Sequence, residues 1–194
     1  CSTTQVIYEC LEEIGLLQHL NLAMAEGIYL GLMTDTGSFR FPSVNSKTHQ
    51  IVAHLYDLGL EAHKIHEAVY DVNTVGRLQL RGYAISEKLQ LFEDKGLGII
   101  TLSRAELDKF NYQKGDTEGL VNVILSIANM QVGIFMMETE EGVKFSFRSK
   151  DGRYVHAFAQ QYFSGGGHQY AAGGFWPSTL DIALERLHQY MHEL

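Results

Sequence analysis

Short apolar runs of strand length alternate with segments of helical periodicity from about residue 95 onward, and this alternation constrains the fold more than any other feature. The predicted strands are 98–102, 132–137, 143–148 and a last short strand that starts at Phe175 and Trp176. The predicted helices are 104–110, 118–129, 155–162 and 180–194. A turn at 140–142 should join two of the strands as a hairpin. The pattern predicts an α/β fold without an internal repeat.

The first 73 residues carry mainly helical patterns. Helices are predicted at 3–14, 46–58 and 61–70, and Gly15 and Gly59 are placed to end the first two. The apolar run at 23–33 leads into Thr34, Asp35, Thr36 and Gly37. Its length suits either a buried strand or the end of a helix, and periodicity does not decide between them. Residues 74–94 are interpreted as one longer helix, a semi-rigid connector between residues 1–73 and 95–194.

The composition is that of an ordinary globular protein. The chain has 194 residues, of which 45% are hydrophobic, and a formal net charge of −8. No run of about 18 apolar residues is present, so no membrane-spanning segment is predicted. The charge argues against a broad basic surface for long duplexes but permits a small anionic substrate held by a few arginines and backbone amides. Cys1 and Cys10 form neither a disulfide framework nor a zinc spacing, and we expect a cytoplasmic protein.

The most specific motif is a glycine run ending in histidine, Ser164-Gly165-Gly166-Gly167-His168. Consecutive glycines allow backbone N–H groups to turn inward at positive φ and surround phosphate oxygens. His168 can donate to the same anion. Residues 169–172 are placed to start a helix whose positive end adds to the field. The alternative is a plain glycine-rich loop between two elements.

A second motif runs from Thr34 to Phe41 and contains Asp35 and Arg40. An aspartate directly after an apolar run lies where strand ends present side chains to a crevice in α/β folds. Its carboxylate suits Mn²⁺ or Mg²⁺, and Arg40 can meet a phosphate. A single carboxylate is not a metal site, however, and taken alone Asp35 is more typical of a turn or a helix cap.

Two further motifs lie in the second half of the chain. In the predicted strand 144–149, Arg148 stands at the end, where the planar guanidinium can bind phosphate through two hydrogen bonds. A solvated arginine at a strand end is the alternative. In the segment 116–122, Asp116 or Thr117 is predicted to cap the following helix.

Together and in this order, the TDTGSFRF, DTEGLVN, FSFRS and GGGH segments resemble the DHH phosphoesterase superfamily. The resemblance is closest to its nanoRNase branch, oligoribonucleases that also dephosphorylate 3′-phosphoadenosine 5′-phosphate. It implies that residues 1–73 are the tail of a parallel-sheet metal domain. It also implies that 95–194 form a mixed-sheet, DHH-associated domain that binds substrate.

The resemblance also implies roles for single residues. Asp35 corresponds to a catalytic metal ligand. The substrate phosphate and nucleotide would be held by five residues of the later motifs, Arg148, Gly165, Gly166, Gly167 and His168. The family's reaction uses two metal ions, Mn²⁺ or Mg²⁺, to activate a water for attack on phosphorus. Short RNA or DNA oligonucleotides or nucleotides are the expected partners, with no membrane, and a homodimer is compatible with the sequence.

The sequence departs from the family in its first residues. The first three metal motifs, including the Asp-His-His triplet, are absent, and Cys1 to Thr4 resembles the stretch directly after that triplet. We therefore expect the latter part of a longer enzyme, nearly inactive by itself. A non-catalytic nucleotide-binding or nucleic-acid-binding module is the alternative from another functional class. A polyphosphate or pyrophosphate phosphatase of the same superfamily is the alternative substrate class.

Overall fold

The computed structural model describes residues 2–150 and 152–194; Cys1, one of the two predicted free thiols, lies outside the described residues, as does Asp151. The chain divides after Asn73 into two compact units. Within the described residues, no helix is both long enough and apolar enough to cross a membrane.

The first unit is built from helices. They are α1 (Thr3–Glu13), α2 (Leu22–Asp35), α3 (Ser46–Asp57) and α4 (Ala62–Tyr70), with a short 3₁₀ turn at Leu17–His19. Ser2 caps α1 by accepting from the amide of Thr4, and Asn45 caps α3 in a reciprocal pair with Thr48. The run at 23–33 lies within α2, so it is helical and not a strand. Its buried residues recur at helical spacing, as Ala25, Ile28, Tyr29, Leu32 and Met33.

The second unit is a sheet covered by helices. Its helices are α5 (Val75–Glu87), α6 (Arg104–Lys109), α7 (Leu120–Ser126), α8 (Val155–Tyr162) and α9 (Leu180–Tyr190). Its strands are β1 (Leu89–Phe92), β2 (Leu97–Leu102), β3 (Val132–Glu138), β4 (Val143–Ser149), β5 (Gly166–His168) and β6 (Ala171–Trp176). The described strands lie in the order β1-β2-β3-β4-β6-β5. Only β2 and β3 run parallel among these pairs, so the sheet is mixed and the predicted α/β class is confirmed.

Alternation along the strands divides the core of the second unit between the two faces of the sheet. On one face Ile99, Ile134 and Phe147 pack with residues of α8 and α9. On the other face Ile100 and Phe135 pack with residues of α5, α6 and α7. The predicted hairpin of β3 and β4 and the helix at 155–162 are confirmed.

Three predictions of secondary structure are wrong. The predicted helix at 74–94 ends at Glu87, because Leu89–Phe92 pair antiparallel with β2 and extend the sheet by one strand. Residues 169–172 do not start a helix. Gly166–His168 instead pair with Ala171–Gly173, so Gln169 and Tyr170 form the short turn of a hairpin, and β6 ends at Trp176 where a strand was expected to begin.

Candidate substrate-binding site

A cavity of about 650 Å³ lies in the second unit, on the face of the sheet that carries α7. Its walls come from the segment before α7, from β3, from alternate residues of β4 and from β6. The lining includes Thr117, Glu118, Gly119, Val121, Phe135, Met137, Lys144, Ser146, Arg148, Gly173, Gly174 and Phe175. Cationic, hydroxyl and apolar groups therefore meet in one concave surface, together with the carboxylates of Glu118 and Glu141, and such a mixture is the usual character of a small-molecule site.

The strand register brings two sequence motifs together. Arg148 on β4 is opposite Ala171 on β6, and Ala171 is opposite His168 on β5. Directly opposed residues point to the same face, so Arg148 and His168 share a face. Their Cα atoms are roughly 10 Å apart, because β6 lies between β4 and β5 and neighbouring strands are separated by about 4.8 Å. Both groups can therefore face one nucleotide-sized anion.

Arg148 has the environment of an anion-binding group. Its guanidinium is partly buried and donates one hydrogen bond of 2.9 Å, from Nη1 to the carbonyl of Phe147. No carboxylate lies within 4.0 Å of it among the residues that the structure describes. Burial lowers the pKa of Arg148, and the negative charge of Glu118 acts in the opposite direction. Arginine nevertheless stays protonated at neutral pH, so a partly desolvated positive charge faces the cavity.

Close backbone packing within the sheet requires part of the glycine run, whether or not a ligand binds there. A Cβ on Gly165 would lie 2.0 Å from the carbonyl oxygen of Gly173, so only glycine fits there. Gly167 has φ +146° and a similarly close backbone neighbour. The amide of Gly165 donates a hydrogen bond to the carbonyl of Ala159. Gly166 has open space around it. The cavity wall itself is formed by Gly173 and Gly174, while a phosphate role for Gly165–Gly167 stays a prediction.

The segment before α7 shapes the rim of the cavity without the predicted cap. Gly119, at φ +78°, precedes α7, and no side chain caps that helix. Asp116 is buried and instead accepts from the amide of Gln113 at 2.8 Å. The hydroxyl of Thr117 points to the sulfur of Met137. The capping prediction for Asp116 and Thr117 is therefore wrong, because a tight glycine turn starts the helix and frees both side chains for other contacts.

Two arginines near this rim were missed by the sequence interpretation. Arg77 and Arg81 lie four residues apart on α5, and Nη1 of Arg81 donates to the carbonyl of Glu118 at 3.0 Å. Their spacing was visible as a helical i, i+4 pair of like charges, which is unfavourable on an isolated helix. This unfavourable spacing was the sequence signal that could have indicated an anion-binding role for the two arginines. The placement next to the cavity depends on the packing of α5 against the sheet.

The first unit contains the other two predicted site residues. Asp35 is the last residue of α2, at a helix end where a strand end was one expectation, and its carboxylate accepts from the Ser2 hydroxyl at 2.7 Å. Nε of Arg40 donates to the carbonyl of Gly37 at 2.8 Å. Both side chains are exposed. Between them, Gly37, Ser38 and Phe39 all have φ near +60°, a conformation that costs free energy for the two non-glycine residues.

The predicted metal role of Asp35 is not supported by a cluster of three or more metal ligands in the described part of the chain. Residues 2–150 and 152–194 contain no group of three or more His, Cys, Asp or Glu side chains arranged to hold a metal ion. A catalytic metal usually takes three protein ligands or several oxygen ligands. The described residues therefore do not by themselves fit a two-metal centre.

A family model described as the DHHA1 domain matches residues 97–193, which is half of the chain. The chain belongs to the DHHA1 domain family. This confirms the resemblance to the DHH phosphoesterases that the sequence motifs predicted. The cavity, Arg148, the glycine run and His168 all lie in the DHHA1 part of the chain.

Known relatives extend the likeness beyond the DHHA1 domain. The crystal structure of an exopolyphosphatase-related protein from Bacteroides fragilis is 34% identical, with a TM-score of 0.94 over 98% of this chain and 56% of that one. The bifunctional oligoribonuclease and PAP phosphatase NrnA of Bacillus subtilis is 29% identical over 89% of this chain and 54% of its own length. The protein of the same name from Thermus thermophilus is 27% identical over 99% of this chain and 56% of its own length. The chain thus spans about half the length of these relatives.

Proposed function

We propose that the DHHA1 unit binds the nucleotides of short oligoribonucleotides and serves a phosphoesterase that hydrolyses them to mononucleotides. The observation that carries the proposal is Arg148, a partly buried guanidinium on the wall of a nucleotide-sized cavity without a carboxylate within 4.0 Å in the described residues. Such a charge is stabilised when an anion binds. The two NrnA relatives, named as oligoribonucleases and PAP phosphatases, support the same substrate class.

The polar and apolar parts of the cavity suggest how a nucleotide lies in it. Arg148 is assigned to the phosphate, with Ser146 two residues away on the same face of β4. His168, two strands away on β5, shares that face of the sheet and is assigned to the same phosphate from outside the cavity lining. Phe135, Met137 and Phe175 provide the apolar surface on which a base can pack. The exposed glycine backbone of β6 allows close approach of the ligand. A dephosphorylation substrate such as 3′-phosphoadenosine 5′-phosphate has the same combination of base and phosphate.

For the metal-dependent step, the proposal assigns a metal-binding role to a single described residue. We propose Asp35 as one ligand of Mn²⁺ or Mg²⁺, since an exposed carboxylate at the end of α2 is a hard oxygen donor. A bound divalent ion would supply an activated water and neutralise charge on the phosphate. Further ligands would have to come from outside the described residues. Arg40, three residues after Gly37 in the strained turn, is proposed to meet a substrate phosphate.

Polyphosphate hydrolysis and non-catalytic binding are the competing functions. The Bacteroides fragilis relative is named as exopolyphosphatase-related, which favours the first of these. Polyphosphate has no base, however, and would leave the apolar wall formed by Phe135, Met137 and Phe175 without a partner. We therefore favour a nucleotide, because apolar surface buried by a base contributes about 25 cal/mol per Å².

The proposal is tested by calorimetric titration of the 194-residue chain with AMP and with tripolyphosphate. We expect AMP to bind more tightly than tripolyphosphate, and Arg148→Ala to weaken AMP binding by at least tenfold, since a charge-assisted hydrogen bond contributes about 1.5–3 kcal/mol. Arg104→Ala is the matched control, because Arg104 pairs with Glu140 at the surface and does not line the cavity. Equal affinity of wild type and Arg148→Ala for AMP would contradict the proposed site.

A further inference from the structure

Arg77 and Arg81 are an unusual pair of like charges. They lie one helical turn apart on α5, and no carboxylate within 4.0 Å neutralises either guanidinium among the described residues. Burial lowers the pKa of Arg81, and the neighbouring charge of Arg77 lowers it further. Two partly desolvated cations without a carboxylate partner repel each other, so an anion that binds between or beside them would stabilise the arrangement.

Arg77 supplies a second, independent observation. Its Nε is buried and has no hydrogen-bond partner in the structure. Most buried polar groups in proteins form hydrogen bonds, and a buried donor without a partner destabilises the folded state. A phosphate bound at the guanidinium would neutralise the pair, and a small shift of the Arg77 side chain would bring the unpaired Nε within its reach. An arginine fork is the side chain best suited to that geometry.

The segment Glu118–Gly119 connects this pair to the cavity. The carbonyl of Glu118 accepts from Nη1 of Arg81 at 3.0 Å, while the charge of its carboxylate acts on Arg148. Glu118 and Gly119 both line the cavity. A Cβ added to Gly119 would lie 3.9 Å from Nη1 of Arg81, an ordinary van der Waals contact, so this glycine of the cavity lining lies directly beside the guanidinium. The arginine pair thus adjoins the rim of the cavity that Arg148 lines.

We propose that Arg77 and Arg81 form a second phosphate subsite, beside the nucleotide cavity, which binds the next phosphate of a substrate at least two nucleotides long. The inference rests on the proposed function, since it assigns the first phosphate to Arg148. A mononucleotide occupies the first subsite only. A dinucleotide with a 5′-phosphate occupies both, because it carries two phosphates separated by one nucleoside.

The test compares AMP with the 5′-phosphorylated diadenylate pApA by calorimetric titration of the 194-residue chain. We expect pApA to bind wild type about tenfold more tightly than AMP, the effect of one added charge-assisted contact. Arg81→Gln should remove most of that advantage and leave AMP affinity within twofold. Arg148→Ala should weaken both ligands. The slope of log K against log salt for pApA should fall in magnitude by about 0.7 in Arg81→Gln, the value for one single-strand phosphate.

Lys95→Ala is the charge-matched control, since Lys95 lies in the 3₁₀ turn before β2 and does not line the cavity. Should Arg81→Gln melt early, Arg77→Gln gives the same comparison, because Nε of Arg77 has no partner in the structure to lose. An equal loss for AMP and pApA, or no loss for either, in these variants would overturn the second subsite while the proposed function stands. Failure of wild type to bind either nucleotide would instead remove the proposed function, and the inference with it.

Discussion

At the scale of single residues, the surroundings of the Glu106 carboxylate shift its pKa strongly. Burial alone would raise its pKa. Hydrogen bonds from Lys88, the amide and hydroxyl of Ser103, and the hydroxyl of Tyr83 outweigh burial and lower the pKa of Glu106 to about 2. The same carboxylate completes the capping box of α6 and links that helix to α5. It therefore holds α5 and α6 together on the face of the sheet that carries the cavity.

We expect Glu106→Gln to lower the free energy of unfolding by on the order of 2–3 kcal/mol at pH 7. Because the folded pKa lies below the ordinary value of 4.5, the stabilisation is present above pH 4.5 and is lost as pH falls towards 2. The two proteins should thus converge in acid. Urea unfolding between pH 2 and 7 measures this, with exposed Glu185→Gln as control. A constant difference across that range would contradict the assignment.

At the scale of elements, the hairpin of β5 and β6 decides what the glycine run does. Gly165 approaches the backbone of Gly173 so closely that a methyl group does not fit, whereas Gly166, the next residue, has open space around its Cα. Gly166 is opposite Gly173, and Gly173 lines the cavity. Packing of the sheet thus requires glycine at position 165, whereas at position 166 only a bound ligand would require it.

The matched substitutions Gly165→Ala and Gly166→Ala separate these roles. Gly165→Ala should destabilise the protein by about 2 kcal/mol or more, because the backbone of β6 must move. Gly166→Ala should change stability by less than about 0.5 kcal/mol. It should nevertheless weaken AMP binding severalfold, since the added methyl group faces the phosphate. Thermal melting and AMP titration measure both. Unchanged AMP affinity in Gly166→Ala would show that the run serves only the sheet.

At the scale of the whole molecule, each of the two units has its own hydrophobic core. The first unit packs around residues such as Leu32, Ile51 and Leu55, and the second around the two faces of its sheet. All residues that line the cavity belong to the second unit. Separate cores are what allows a domain to fold independently.

We therefore expect a chain of residues 74–194 to unfold in a single cooperative transition. It should bind AMP with the affinity of the 194-residue chain, because the single phosphate of AMP is assigned to Arg148 and Arg40 would contact a phosphate that AMP lacks. Differential scanning calorimetry and AMP titration of both proteins measure this. The reciprocal chain of residues 1–73, which lacks Arg148, should not bind AMP and is the control. A 74–194 chain that has no melting transition, or that binds AMP tenfold more weakly, would show that the first unit contributes to the site.

Local patterns were sufficient for elements whose own periodicity matches their environment. Helix α8 was predicted with its observed bounds, and β2, β3 and β4 were predicted within about a residue or two, because each is buried on the faces that its apolar residues indicate. Patterns failed where pairing with a distant strand overrides local preference. Leu89–Phe92 has only four residues, and its apolar residues Leu89 and Phe92 also fit the helical spacing of the segment before it. Gly166–His168 has three residues and none of them is apolar. Both become strands because β2 and β6 offer hydrogen bonds.

The sequence by itself determined the family, the α/β class and the residue types suited to phosphate, since glycine, histidine and arginine have those properties wherever they stand. Only the tertiary structure decided that Arg148 and His168 share one face of the sheet and that Arg77 and Arg81 adjoin the cavity rim. The physical reason is strand order. The pairing of β6 with β4 places β6 between β4 and β5, and it depends on contacts between residues far apart in the chain. No local sequence pattern encodes that pairing.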